Sequence, residues 1–166
     1  PIAPTLLFPF VFAFGGIAQF LAGMWAFRAR DNLGSYMFTM WGSFWFALGL
    51  FTIFLSAGVL STLVLTGNEL GMIFVTLAAA SWIATSASAW RNLSVMFVWA
   101  AAAVSATLLA VGTFGVSTGW ITAGGWAFIA TAVLAWYAAS ARLLNTIAGH
   151  IVLPMGRFGA ARKRSS

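Results

Sequence analysis

The sequence predicts an all-α fold, a polytopic membrane protein with five transmembrane helices, and three observations predict it. Of 166 residues, 62% are hydrophobic and only 6% are charged, too little polar surface for a water-soluble domain of this size. Five apolar runs of about 20 residues can be marked off, the length needed to cross a hydrocarbon core about 30 Å thick. The eight Lys and Arg all fall on one side of the topology those runs define. A helical transmembrane domain over residues 1–152 therefore takes up nearly the whole chain, followed by a basic tail over 153–166.

The first span runs from about Ile2 to Phe27, with Pro4 capping its start and Pro9 bending its first turns. Its centre is Phe14-Gly15-Gly16-Ile17-Ala18-Gln19. Gly15, Gln19 and Gly23 are four apart, so they share a helical face on which a second backbone can approach closely. A glutamine held in hydrocarbon needs a hydrogen-bonding partner. Gln19 therefore either bonds a neighbouring helix as structural glue or lines a path for a solute.

After the polar turn Arg28 to Asn32, the second span covers about Ser35 to Ala57 and carries Phe38, Trp41 and Trp45 on one face. Aromatic residues so spaced serve either as packing or as a constriction that excludes water. A loop from Gly58 to Glu69 without basic residues leads to the third span, about Leu70 to Ala89, and Trp90-Arg91-Asn92 turns the chain into the fourth, about Leu93 to Gly115. The small-residue runs Ala78 to Ser81 and Ala100 to Ala103 suit close helix packing, here read as contacts between protomers. The fifth span starts near Trp120 and ends near Ser140, with Leu143 to Val152 continuing as an interfacial helix until Pro154. Arg157, Arg162, Lys163 and Arg164 form a solvated tail near lipid headgroups.

The same inventory narrows the function. The chain has no cysteine, one histidine and two carboxylates, too few for a thiolate metal site or most acid–base chemistry. No cofactor and no metal is expected, and no feature points to an enzyme. The net charge of +6 is gathered at helix ends and in the tail, without the basic and aromatic face of a nucleic-acid groove. Asp31 and Glu69 are read as loop residues, so no carboxylate lies within a span to relay a proton. Arg142 and His150 are candidates for a cytoplasmic mouth, although a positive-inside anchor and a solvated interfacial histidine fit them equally.

Several stretches resemble the acetate uptake transporter family, which includes the bacterial succinate-acetate permeases and the fungal ammonia/acetate exporter-like proteins. They are Phe14 to Gln19 with Ala22-Gly23-Met24-Trp25, Asn32-Leu33-Gly34 leading into Phe38 to Trp45, Gly125-Trp126 with Trp136-Tyr137, and Val152-Leu153-Pro154-Met155-Gly156. The resemblance implies a six-helix protomer in a homo-hexamer, each protomer passing acetate or a related small carboxylate anion. It also implies that the family's first helix precedes Pro1. The implied path holds Gly15, Gly16, Gln19, Phe38, Trp41, Trp45 and Ala102. Trp41 stands where the family usually has a tyrosine and Ala102 near a usual leucine, while Ala26 and Arg142 replace carboxylates.

Three readings follow: a carboxylate transporter or channel, a channel for small neutral solutes, and a structural subunit derived from the family with a disused pore. All imply a multi-pass protein of the cell membrane, in contact with the lipid bilayer. The eight-to-zero distribution of basic residues predicts an external Pro1 and a cytoplasmic C-terminus. In sealed cells, an impermeant thiol reagent should label Ser61→Cys and spare Ser165→Cys; the reverse pattern inverts the topology.

Overall fold

The structure is a computed structural model that describes residues 7–60 and 66–156. The expected capping by Pro4 and the basic residues of the tail lie outside these residues. Among the described residues the chain is helical without strands, and five helices are long and apolar enough to cross a membrane. They are α1 (Phe8–Arg28), α2 (Asn32–Ser56), α3 (Gly67–Ala89), α4 (Leu93–Phe114) and α5 (Thr118–Ala148). The chain divides into two compact units, Pro1–Leu65 and Thr66–Ser166.

In the first unit, α1 is not a uniform α-helix. Phe8–Phe10 is α-helical, Val11–Ala18 forms a π-helix, and Gln19–Arg28 returns to α geometry. The irregularity was expected from Pro9. That proline sits in the first turn, where its missing N–H costs no helical bond. The widened turn falls instead on the stretch that contains Gly15 and Gly16, where π geometry is rare and seldom longer than one turn.

The pairing of α1 with α2 is a set of backbone contacts in antiparallel register. A Cβ placed on Gly16 would lie 2.7 Å from Phe46 Cα, and one on Gly23 would lie 2.7 Å from the Thr39 nitrogen. From the other side, a Cβ on Gly42 would meet the Phe20 nitrogen at 2.6 Å, and one on Gly49 would meet Phe12 Cα at 2.8 Å. Each helix thus contributes two glycines seven residues apart. Small residues at such an interface let backbones approach in lipid, where no hydrophobic force drives helices together. Gly15 stands beside this line, its missing Cβ 3.1 Å from Trp45 Cγ.

Polar groups are satisfied locally, as hydrocarbon requires. Thr39, Ser43, Thr52 and Ser56 on α2 each donate a hydroxyl to the carbonyl four residues earlier. Both acidic residues, read from the sequence as loop residues, turn out to cap helices. Asp31 Oδ1 accepts from the Gly34 N–H at 3.1 Å at the start of α2. Glu69, in the first turn of α3, accepts from the Thr66 N–H at 2.9 Å while Thr66 Oγ1 accepts from the Glu69 N–H, a reciprocal capping box.

In the second unit α3 packs on α4 and α4 on α5. The faces that meet are made of small residues: Ala78, Ala80, Ser81, Ala84 and Ser88 on α3, and Ala102, Ala103, Ser105, Ala106 and Ala110 on α4, all buried. Of the runs read as contacts between protomers, Ala78, Ala80, Ser81, Ala102 and Ala103 are buried within the chain, whereas Ala79 is exposed. Much of that small-residue surface is already used within the chain.

The end of α5 is also corrected. No interfacial helix reaches Val152, because α5 runs unbroken to Ala148 and stops at Gly149 in the left-handed conformation, φ +70°. Asn145 then holds the returning chain. Its Oδ1 accepts from the Val152 and Leu153 N–H groups at 2.7 and 2.9 Å, and its Nδ2 donates to the Leu153 carbonyl at 2.8 Å. These bonds offer the backbone an alternative to helix, which an asparagine near a helix end is suited to make.

The glycine contacts allow a test in which two effects of opposite sign compete. Alanine in place of a helical glycine gains about 0.5–1 kcal/mol through backbone entropy, whereas overpacking costs about 1–3 kcal/mol. Gly42→Ala should therefore lower thermal stability in detergent. Gly125→Ala, with nothing within 4 Å of the new Cβ, should leave stability unchanged or raise it.

Candidate functional site

The first unit brings together most of the residues singled out on α1 and α2. The antiparallel register sets Gln19 level with Gly42, since a Cβ on Gly42 would lie 3.1 Å from the Gln19 carbonyl carbon. Trp41 is the residue before Gly42, and Trp45 lies one turn along α2, against Gly15. Gly16 faces Phe46, and Phe38 lies at the level of Gly23. Gly15, Gly16, Gln19, Phe38, Trp41 and Trp45 thus occupy about two turns of one helix pair.

The aromatic residues form a packed group. The Trp41 and Trp45 rings are 6.2 Å apart and tilted by 32°, and Phe44 joins both, edge-on to Trp41 at 5.9 Å and at 4.8 Å from Trp45. Such offset and edge-to-face geometries suit the ring quadrupoles. Trp41 is buried, with 4% of its surface exposed. Phe44 did not figure among the site residues predicted from the sequence. Its spacing of three from Trp41 was the available signal, since residues three and four apart on a helix are neighbours.

Gln19 differs from Thr39, Ser43, Thr52 and Ser56 of α2. Its side chain is half-buried, and among the described residues none donates to or accepts from its amide. The expectation that Gln19 serves as glue to a neighbouring helix of the same chain is therefore not met within the described residues. Hydroxyls can bond back to their own helix, as those of α2 do. The longer amide, with two donors and an acceptor, remains available to something outside.

The remaining candidates lie in the second unit. Ala102 is buried in the small-residue face of α4. Arg142 is exposed on α5, its carbonyl accepting from Thr146 Oγ1 at 2.7 Å. His150 is exposed just beyond the Gly149 cap, its Nδ1 3.0 Å from the Ala148 carbonyl oxygen. Among the described residues no group of three or more His, Cys, Asp or Glu could hold a metal ion.

The two units differ in kind. The first presents aromatic rings and an amide beside a glycine-lined seam; the second presents small residues and hydroxyls bonded to their own helices. Among the described residues, the first unit offers an unbonded amide near the middle of a span, on a helix pair that also carries an aromatic group, an arrangement able to contact a small polar solute.

Comparison with known proteins agrees with this picture. The chain is similar to a solved structure of the bacterial acetate channel SatP, with a TM-score of 0.86 and 25% sequence identity, over 94% of this chain and 85% of that one. No curated protein matches. The match to the GPR1/FUN34/yaaH family extends over residues 2–159. A multi-pass helical membrane protein whose sequence follows that family over nearly its whole length is a member of it: the chain belongs to the GPR1/FUN34/yaaH family.

Proposed function

We propose that this protein is a membrane transporter or channel for acetate and related small carboxylates, and that the solute contacts Gln19 on its way through each protomer. One observation supports the reading: a half-buried amide near the middle of α1, on the helix pair that carries Gly15, Gly16, Trp41 and Trp45, to which no described residue bonds. A polar group in hydrocarbon is costly without a partner, and a carboxylate supplies acceptors for the two N–H donors of Gln19 Nε2. The likeness to an acetate channel supports the same substrate class. Phe38 extends the aromatic lining, and Ala102 enters the reading only through the family resemblance.

The distribution of charge along the sequence fits the proposal. Arg142 and His150, on the side that collects all the basic residues, would attract anions to a cytoplasmic mouth, with the C-terminus cytoplasmic and the protein in the cell membrane. The assembly is a homo-oligomer, a hexamer by resemblance. Closed rings bury identical patches on every subunit. Native mass spectrometry in mild detergent should find a single oligomer above the monomer mass; monomers alone would remove the oligomer from the proposal.

A second reading has its own supporting observation. Trp41 is buried and packed edge-on to Phe44 and tilted against Trp45, as in a packed core, which suits a structural subunit with a disused pore. Uptake of labelled acetate by proteoliposomes separates the two. An unmade bond to a charged group costs about 1.5–3 kcal/mol, so Gln19→Leu should slow uptake roughly tenfold or more where that step limits the rate. Trp41→Tyr, a smaller ring with an added hydroxyl, should keep or raise the flux. If wild-type protein gives no flux above empty liposomes between about pH 5 and 8, the structural reading replaces the transporter. Uptake of acetamide or urea in place of acetate would favour a neutral-solute channel.

A further inference from the structure

The two halves of α1 are not in the same step with α2. From Gly16 to Gly23, α1 advances seven residues, and the α2 residues that face these glycines, Phe46 and Thr39, are also seven apart. From Phe12 to Phe20 it advances eight residues, yet the glycines that receive them, Gly49 and Gly42, are only seven apart. Over the same length of seam, α1 therefore spends one residue more than α2. Two turns of α-helix take about seven residues, so an eighth returns to the same face only where the helix is wider. The π geometry of Val11–Ala18 supplies that width. The surplus falls between Phe12 and Gly16, four residues apart, which sit against Gly49 and Phe46, three apart.

The residues along the seam accept the surplus at a second place as well. Gly42 is approached by the nitrogen and Cα of Phe20, atoms that every residue has, so this seat does not require a phenylalanine. The seat at Phe46 does require a glycine, because a Cβ on Gly16 would lie 2.7 Å from Phe46 Cα, and the residue before Gly16 is a second glycine. When the wide turn lies between Gln19 and Gly23 instead, Phe12 stays at Gly49 and Gly23 at Thr39, while Gly15 takes the seat at Phe46 and Gln19 the seat at Gly42. Phe14 then takes the place of Gly15, where a Cβ would lie 3.1 Å from Trp45 Cγ, so the indole has to give slightly. A lone glycine would permit one arrangement, and the pair permits both.

We infer that α1 is built with two seatings on α2, distinguished by which side of the Gly16 to Phe20 stretch carries the wide turn, and that passing from one to the other turns Gln19 by one residue position while Phe12 and Gly23 keep their places. One residue position is about 100° around an α-helix. The half-buried amide is thereby carried to the place now held by Phe20, against Gly42. The movement is a local change of register within a fixed helix pair, of the discrete kind that packed interfaces permit, and wide turns inside helices are frequent at functional sites. It stands on the geometry of the seam alone and does not depend on which solute, if any, the protein passes.

Deleting single exposed alanines from the full chain tests this, because each deletion acts on the surplus differently. Without Ala13, Phe12 and Phe20 are seven residues apart, like Gly49 and Gly42, and the present seating is fixed. Without Ala22, Gln19 and Gly23 are three apart, like Gly42 and Thr39, and the second seating is fixed. Deletion of Ala47 shortens α2 and widens the mismatch. In detergent, the first two variants should melt within roughly 4 °C of wild type and the third more than about 8 °C below it. Cryo-electron microscopy should show α1 uniformly α-helical in both tolerated variants, with Phe20 over Gly42 when Ala13 is deleted and Gln19 over Gly42 when Ala22 is deleted. Gly16→Ala, which closes the present seat at Phe46, should bring Gly15 to Phe46 and Gln19 to Gly42. Destabilisation by the Ala22 deletion as large as that by the Ala47 deletion, or a Gly16→Ala structure that keeps residue 16 at Phe46 with the helices spread apart, would overturn the second seating. Equal destabilisation by the Ala13 and Ala47 deletions would overturn the surplus residue itself.

Discussion

The constraint on which the rest of the structure depends is that hydrocarbon offers backbone and side-chain polar groups no hydrogen bonds. Many of the described polar residues answer it in one of a few ways. Hydroxyls of α2 bond back to their own helix. Both carboxylates sit at helix starts, Asp31 just before α2 and Glu69 in the first turn of α3, where negative charge also meets the positive end of the dipole. Asn145 folds the chain back on itself. Gln19 stands apart because it uses none of these answers, and its position in an aromatic setting is therefore the point from which a function can be argued.

The glycines are the second consequence of the same environment. In water, burial of large apolar side chains would pair α1 with α2; in lipid those side chains are as well accommodated by acyl chains as by each other. What remains is close contact, and only residues without side chains permit it. Gly16, Gly23, Gly42 and Gly49 meet this need in one seam, and alanine and serine meet it less closely across α3, α4 and α5.

Much of this was legible in the sequence, because length, apolarity and charge placement fix helix number within narrow limits. The five spans, the aromatic cluster of α2 and the close approach at Gly23 follow from spacing alone. The π-helix did not, since nothing in a pattern read at 3.6 residues per turn announces a wider turn. Nor did the role of the small residues of α3 and α4: composition marks them as contact surface without saying whether the partner is the same chain. The return of the chain after α5 was hidden for a different reason. Tyr137, Asn145 and the Val152 to Gly156 stretch belong together through bonds over 8 to 61 residues, and single-sequence periodicity sees neighbours on one helix only. Within the candidate site, the aromatic and glycine residues were visible as a pattern, whereas the unbonded state of Gln19 is a fact of three dimensions.

The seam between α1 and α2 has a mechanical meaning. Phe12 is seated at Gly49 and Phe20 at Gly42, while Phe46 and Thr39 are seated at Gly16 and Gly23, so each helix carries both teeth and notches. Sliding either helix along its axis would drive a tooth onto a neighbouring full-sized residue, and rolling it would lift two teeth at once. Small displacements are therefore resisted in both senses, and the nearest alternative is a discrete jump. A push on Trp45 is therefore a push on Gly15, and the Gln19 backbone, seated level with Gly42, moves with α2.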